Sequence, residues 1–467
     1  MKQDAPADAD RTARRFAERA RELPGDDTTP AFAAVEPTTR ADPYGAFATS
    51  FVSPESFDGP LSDLSVAVKD NVAVRGVAHG VGTASLAVEA DRDATVVERI
   101  RASGADLVGT TRMDPFALGV TGESGDGGRT VNPAAVDAIP GGSSAGSAAA
   151  VAGGLVDAAL GTDTAGSVRV PASFCGAVGV KPTFGRVPRT GVVDLAPTLD
   201  HVGVVGQDVE TAARLLDRVS GRDPLFPSDA AAEPTAAGDE LESSVDRLRI
   251  GVPESFAEAA ARPVRAVFES ALTALAGRDG VTVERLSFPE HGDAGFVNQL
   301  HTVSEFAAML DGAGQPLSGG RTKLVQAVFA AGLDGADAPD RVRELAATGR
   351  ALNEAEPGAY SDAWAARRRL VRRVEACFDR VDVLVTPTTP TTAPDVGAVG
   401  PDADHDVGDL FANTAPFNCT GNPAVSVPCG DSAGRPVGVQ VVAPTGADEE
   451  ALRAAREVES VVADGAV

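Results

Sequence analysis

Aromatic side chains are scarce, at 4% of 467 residues, with one Trp and two Tyr. A core must therefore lean on Ala, Val, Leu and Phe, for which a hydrophobic content of 43% is enough. No apolar run reaches the roughly 18 residues of a membrane-spanning helix, which excludes a membrane partner. The opening residues, Met1-Lys2-Gln3-Asp4-Ala5-Pro6-Ala7-Asp8, are polar and acidic, unlike a secretory signal peptide. The cytoplasm is the expected compartment. Only four cysteines occur, Cys175, Cys377, Cys419 and Cys429, and none forms a CxxC pair. That excludes a disulfide framework and a zinc site, and leaves Cys175, Cys419 and Cys429 as small buried thiols.

Histidine is equally sparse. His79, His201, His291, His301 and His405 show no metal-ligand spacing. No Gly-x-Ser-x-Gly elbow stands in the strand–turn–helix setting that a Ser-His-Asp triad requires. Each histidine is expected to be an ordinary surface or packing residue, and neither a metal nor a cofactor is expected. Lysine is rarer still: Lys2, Lys69, Lys181 and Lys323 are the whole complement. What the chain has instead is acid, 67 Asp and Glu against 41 Lys and Arg, for a formal net charge of -26. Such a surface repels phosphate and excludes direct nucleic-acid binding. It suits a protein held in a saline cytoplasm, where salt screens the self-repulsion. The arginines 367, 368, 369, 372 and 373 read as a solvated helix face paired with those carboxylates.

Hydrophobic patterning divides the chain into residues 1–60 and 61–467. The first part has Ala13, Phe16, Ala17 and Ala20 at helical spacing, closed by Pro24, then a Thr/Pro-rich stretch. In the second part strands are expected at 64–68, 105–109, 248–252, 281–286, 381–385, 425–427 and 437–442. Helices are expected at 94–103, 207–220, from Pro263 to 275, and at 451–462, with Thr445 and Asp448 as its capping signal. Residues 224–240 read as a surface loop or linker. Strands alternating with helices predict an α/β sandwich around a central sheet.

The chemistry concentrates between residues 119 and 171, rich in Gly, Ser, Thr and Ala. In Gly141-Gly142-Ser143-Ser144-Ala145-Gly146-Ser147, glycines permit unusual backbone dihedrals and the following alanines favour a helix. A phosphate-cradling loop would need a Lys directly before the Ser/Thr, and there is none. In Gly161-Thr162-Asp163-Thr164-Ala165-Gly166-Ser167, a serine follows small residues where several N–H groups can converge on one oxyanion.

These segments, with Val66-Ala67-Val68-Lys69-Asp70, Phe174-Cys175-Gly176-Ala177-Val178-Gly179-Val180-Lys181-Pro182-Thr183 and Pro416-Phe417-Asn418-Cys419-Thr420-Gly421-Asn422-Pro423, resemble the amidase signature family over roughly residues 45–460. The resemblance implies a three-layer α/β/α sandwich with a central mixed β-sheet. It implies a Ser-Ser-Lys triad in which Lys69 is the base, Ser143 the bridging serine on a cis peptide, and Ser167 the nucleophile. It also implies an oxyanion hole from the N–H groups of Thr164, Ala165, Gly166 and Ser167, with Ser144 and Asp163 as supporting partners. A lysine serves as base only if burial lowers its pKa, and Lys69 closes an apolar strand. Lys181 is buried by the same argument but has no catalytic counterpart in the family.

Ala145 and Ala165 stand where many relatives carry glycine. Met113-Asp114-Pro115-Phe116-Ala117 is similar to a segment of the glutaminase (A) component of glutamyl-tRNA(Gln) amidotransferases, which frees ammonia from glutamine for its partner. That component's acidic glutamine contact falls at Phe411 here. The expectation is therefore a stand-alone amidase acting on a small-molecule amide, with room for a homodimer. The alternative is the amidotransferase glutaminase component, and only that reading requires a partner protein.

Overall fold

The structure is a computed structural model. It describes residues 32–223, 233–241, 247–311, 338–400 and 403–463, apart from Ser56, Ser85 and Ala87, together with 14–16, 18, 19, 324, 325 and 328. Two compact units are distinguished, Met1–Phe32 and Ala33–Val467. In the first, residues 14–16 and 18–19 are helical and exposed. Everything below concerns the second.

Its strands in chain order are β1 (Glu36–Pro37), β2 (Phe47–Val52), β3 (Ser65–Lys69), β4 (Ala78–His79), β5 (Val88–Glu89), β6 (Asp106–Thr111) and β7 (Ala158–Asp163). They continue with β8 (Val178–Lys181), β9 (His201–Gly206), β10 (Leu248–Pro253), β11 (Val281–Leu286), β12 (Val383–Pro387), β13 (Ala424–Ser432) and β14 (Arg435–Val442). Twelve form one sheet in the order β1-β2-β6-β3-β7-β9-β8-β13-β14-β12-β10-β11, and β4 and β5 pair apart. The sheet is mixed: β3 runs parallel to β6 and β7, while β7, β9, β8 and β13 are successively antiparallel. The expected linker at 224–240 lies largely outside the described residues, though 237–240 form a helical turn. Residues 36–52 add strands to the sheet, so the sheet begins before the expected boundary at residue 60.

The main helices are α1 (Thr95–Ala102), α2 (Ala145–Ala152), α3 (Arg169–Cys175), α4 (Val209–Val219), α5 (Arg262–Ala276), α6 (His291–Leu310), α7 (Asp340–Ala355), α8 (Ala359–Phe378), α9 (Ala415–Thr420) and α10 (Asp448–Ala463). Side chains alternate across a strand, so each central strand feeds two cores. Val66 and Val68 of β3, Leu160 of β7 and Val204 of β9 enter one core with α1, α4, α5 and α10. Ala67, Ala159 and Val205 enter another with α2 and α3. A helix layer therefore covers each face, which makes the three-layer sandwich.

Small residues let α2 lie close. Ser147 Oγ donates to Leu160 O at 2.9 Å, so this helix is bonded to β7 through a side chain facing the sheet. The expected cap of α10 is different. Asp448 spends its carboxylate on Thr183 N and Oγ1, at 2.8 and 2.6 Å, and on Arg186. Arg367 also departs from expectation. It is buried and donates to Cys419 O and Thr198 O, whereas Arg368, Arg369 and Arg372 are not buried. Among the described residues no helix is long and apolar enough to cross a membrane.

Candidate active site

Strand β3 is apolar up to its last residue, so the sheet carries the amine of Lys69 into the interior. The side chain has no solvent exposure. Its Nζ lies 2.7 Å from Ser143 Oγ and 2.9 Å from Thr162 Oγ1. Burial lowers the Lys69 pKa to about 7, against the opposing pull of Asp114, Asp163 and Asp200. Lys181, the other lysine among the described residues, is equally buried. It donates to Pro182 O at 3.0 Å and Asn422 O at 2.5 Å, and lies 3.2 Å from His201 Nε2. Those partners hold it as an internal strut.

Ser143 sits in the turn before α2, where the Gly142–Ser143 peptide is cis. Asp114 N donates to Ser143 O at 3.2 Å. A Cβ at Gly142 would come within 2.0 Å of Asp114 Oδ2, so only glycine admits the carboxylate there. Ser144 holds the turn on β7 by donating to Thr162 O and accepting from Thr162 N. Ser144 N donates to Ser167 O at 3.2 Å, which ties the two serine-bearing loops together through their backbones.

Ser167 follows the loop that leaves β7 and precedes α3. Its Oγ takes part in no hydrogen bond among the described residues, and the residue is 4% exposed. The N–H groups of Thr164, Ala165, Gly166 and Ser167 likewise donate to no acceptor among the described residues. Four consecutive unengaged donors beside a free hydroxyl are the arrangement that binds a developing oxyanion. The loop's carbonyls, in contrast, are held: Thr414 Oγ1 donates to Ala165 O at 2.6 Å and Asn298 of α6 to Thr164 O at 2.9 Å. Thr164 Oγ1 donates to Asp200 at 2.6 Å.

Below the loop Asp163 meets Arg169, both without exposure. Nη2 donates to Oδ1 at 2.8 Å and Nε to Oδ2 at 3.0 Å. The remaining guanidinium bonds go to Thr414 O, Gln440 Oε1 and Asn418 Oδ1. Asn418 Nδ2 also donates to the Asp163 carbonyl and carboxylate, each at 2.9 Å. Burial alone would raise the carboxyl's pKa, but Arg169 and Asn418 hold it well below the usual carboxylate range.

Lys69, Ser143, Ser144, Asp163 and the 164–167 loop thus come together. Sequence reasoning did not single out Thr162, Arg169, Asn71, Asn298 or Asp200. Only Arg169 had a local signal, a lone charge between Val168 and Val170. Phe411 is half-buried, and its ring would lie 3.1 Å from a Cβ built on Gly166. An apolar ring rather than a carboxylate therefore borders the loop. His79, His201 and His301 are buried packing residues, and His291 stacks on Phe256 at 3.9 Å between ring centroids.

The comparisons with known proteins agree with this arrangement. The sequence profile described as Amidase matches residues 40–452, and the chain belongs to that family, whose enzymes cleave amide carbon–nitrogen bonds. It is 38% identical over 422 residues to the glutamyl-tRNA(Gln) amidotransferase glutaminase component (A) of Natronomonas pharaonis, covering 88% of this chain and 98% of that protein. The same component from Halobacterium salinarum is 39% identical, covering 89% and 99%. Among solved structures, the corresponding component from Thermotoga maritima superposes with a TM-score of 0.75 at 33% identity, covering 90% of this chain and 88% of that one. The native peptide amidase of Stenotrophomonas maltophilia superposes with a TM-score of 0.71 at 28% identity, covering 86% and 83%.

Proposed function

We propose that the chain hydrolyses a carboxamide through an acyl-enzyme on Ser167, and that it does so as the ammonia-releasing component of a tRNA-dependent amidotransferase. The observation that carries the chemistry is the fully buried Lys69, 2.7 Å from Ser143 Oγ, beside a loop with four unengaged amides. A neutral Lys69 takes the proton of Ser143 while Ser143 takes that of Ser167. The Ser167 oxygen attacks the amide carbon, and the oxyanion settles on the N–H groups of residues 164–167. Returning the proton expels ammonia, and water then cleaves the ester by the same path in reverse.

Assignment to an amidotransferase rests on the relatives, since it reverses the reading that Phe411 alone suggested. Matches covering 98% and 99% of two amidotransferase glutaminase components leave little of those proteins unaccounted for. On this reading the chain works with a partner protein that receives the ammonia, and the substrate is glutamine. One observation favours the second reading, a stand-alone amidase for small amides: the aromatic ring of Phe411 borders the nucleophile loop where a carboxylate would hold an amino group. Assays of the purified chain on glutamine and simple amides, with and without a co-purified partner, decide between them. The first reading expects glutamine to be hydrolysed and the partner to accelerate it. Fast cleavage of simple amides by the chain alone, with glutamine untouched, would establish the second.

A further inference from the structure

Behind Thr162 lies a cavity of about 10 Å³, lined by Asn71, Thr162, Thr164, Arg189, Asp194 and Asp200 among others. That volume is about one water, and a buried water needs two to four polar partners. Thr162 Oγ1 already accepts from Lys69 at 2.9 Å and from Asn71 Nδ2 at 3.2 Å. Both lone pairs are then occupied, so the Thr162 proton must go elsewhere.

The Asn71 amide has a fixed orientation. Its Nδ2 also reaches Val193 O at 3.2 Å, and a carbonyl only accepts, so the amine and not the oxygen faces that way. Asn71 Oδ1 is left buried with no hydrogen-bond partner among the described residues. An acceptor without a donor and a hydroxyl without an acceptor thus line the same one-water cavity. Across it, Asp200 is committed to Thr164 Oγ1, Leu195 N and Ala196 N. Arg189 lies 3.7 Å from Asp194.

We infer that this cavity binds one ordered water, which accepts the Thr162 proton and donates to Asn71 Oδ1, and that Asn71 is thereby a positioning residue for Lys69. The physical consequence concerns the lysine's lone pair. A Thr162 proton turned toward Nζ would occupy that lone pair and compete with Ser143. Held on the water, it leaves Thr162 as a pure acceptor, so a Lys69 N–H points to Thr162 and the lone pair to Ser143. The role of Asn71 rests on the reading of Lys69 as base; the water does not.

The test has two arms. A crystal structure of the whole chain, at a resolution that orders internal waters, is expected to show one density peak within hydrogen-bond reach of both Asn71 Oδ1 and Thr162 Oγ1. Asn71→Leu keeps the volume but removes both polar groups, and is expected to lower kcat/KM by roughly tenfold, the loss of about one hydrogen bond. Because Thr162 is then free to turn, the pH midpoint of kcat/KM should move with it, which loss of packing alone does not do. Thr162→Val should move the midpoint too, and Thr162→Ser should restore it. A cavity without density, or an Asn71→Leu enzyme that turns over at the normal rate and midpoint, would overturn the inference while Lys69 stayed essential. A Lys69→Ala enzyme that kept its activity would instead overturn the reading of the base, and with it the role of Asn71.

Discussion

Arg169 and Asp163 face each other at 2.8 and 3.0 Å with neither side chain exposed, between β7 and the first turn of α3. A buried pair is not in itself a source of stability, but removing one partner strands the other charge. Arg169→Met is therefore expected to destabilise the fold by about 3–5 kcal/mol, read by chemical denaturation. Arg169→Lys should not rescue it, since an ammonium cannot replace a fork that also reaches Thr414 O, Gln440 and Asn418.

Gly166 has φ +142, and a Cβ there would meet Thr414 Oγ1 at 2.1 Å and Thr414 Cβ at 2.7 Å. Gly166→Ala must move either this loop or the 411–414 turn. Losing the aim of one oxyanion donor costs about 10²–10³-fold in kcat. The variant should fold, by circular dichroism, while its kcat falls by at least that much. Retention of normal turnover would remove the 164–167 amides from the mechanism.

The pH dependence follows from Lys69. Burial lowers its pKa to about 7, and only the unprotonated amine accepts a proton. Below that value the base is protonated, so kcat/KM should rise tenfold per pH unit and level off above about 7. Lys69→Ala should remove this limb and cost about 10²–10⁴-fold, the usual contribution of a general base.

The charge of -26 makes a prediction about salt. Screening shortens from about 10 Å at 0.1 M to about 3 Å at 1 M, so repulsion among carboxylates falls. The melting temperature should rise with KCl into the molar range. A flat or falling trend would show that the acid excess has some other basis.

The sequence made the catalytic loops legible because their chemistry is local. Gly141–Ser147 and Gly161–Ser167 carry their own turn residues, and a lone lysine ending Val66-Ala67-Val68 declares its burial. β11 was readable to the residue, from Val281 to Leu286, because alternation and flanking glycine bound it. The tertiary partners were not. Asn298 reaches Thr164 from 134 positions away and Asn418 reaches Asp163 from 255, contacts that no periodicity encodes. Arg367 misled for the same reason: nothing in a run of arginines marks the one whose guanidinium is turned inward to Cys419 O. Phe411 was located correctly in the chain, yet position alone did not rank the two kinds of amidase, and whole-chain likeness points to the other one.

The proposed mechanism turns on Ser167 carrying the acyl group. Peptide mapping by mass spectrometry, after treatment with a fluorophosphonate, tests it most directly. The expected result is a single adduct on the peptide bearing Ser167, lost in Ser167→Ala and slowed in Ser143→Ala and Lys69→Ala. An adduct on Ser144 or Ser147, with Ser167 unmodified, would contradict it.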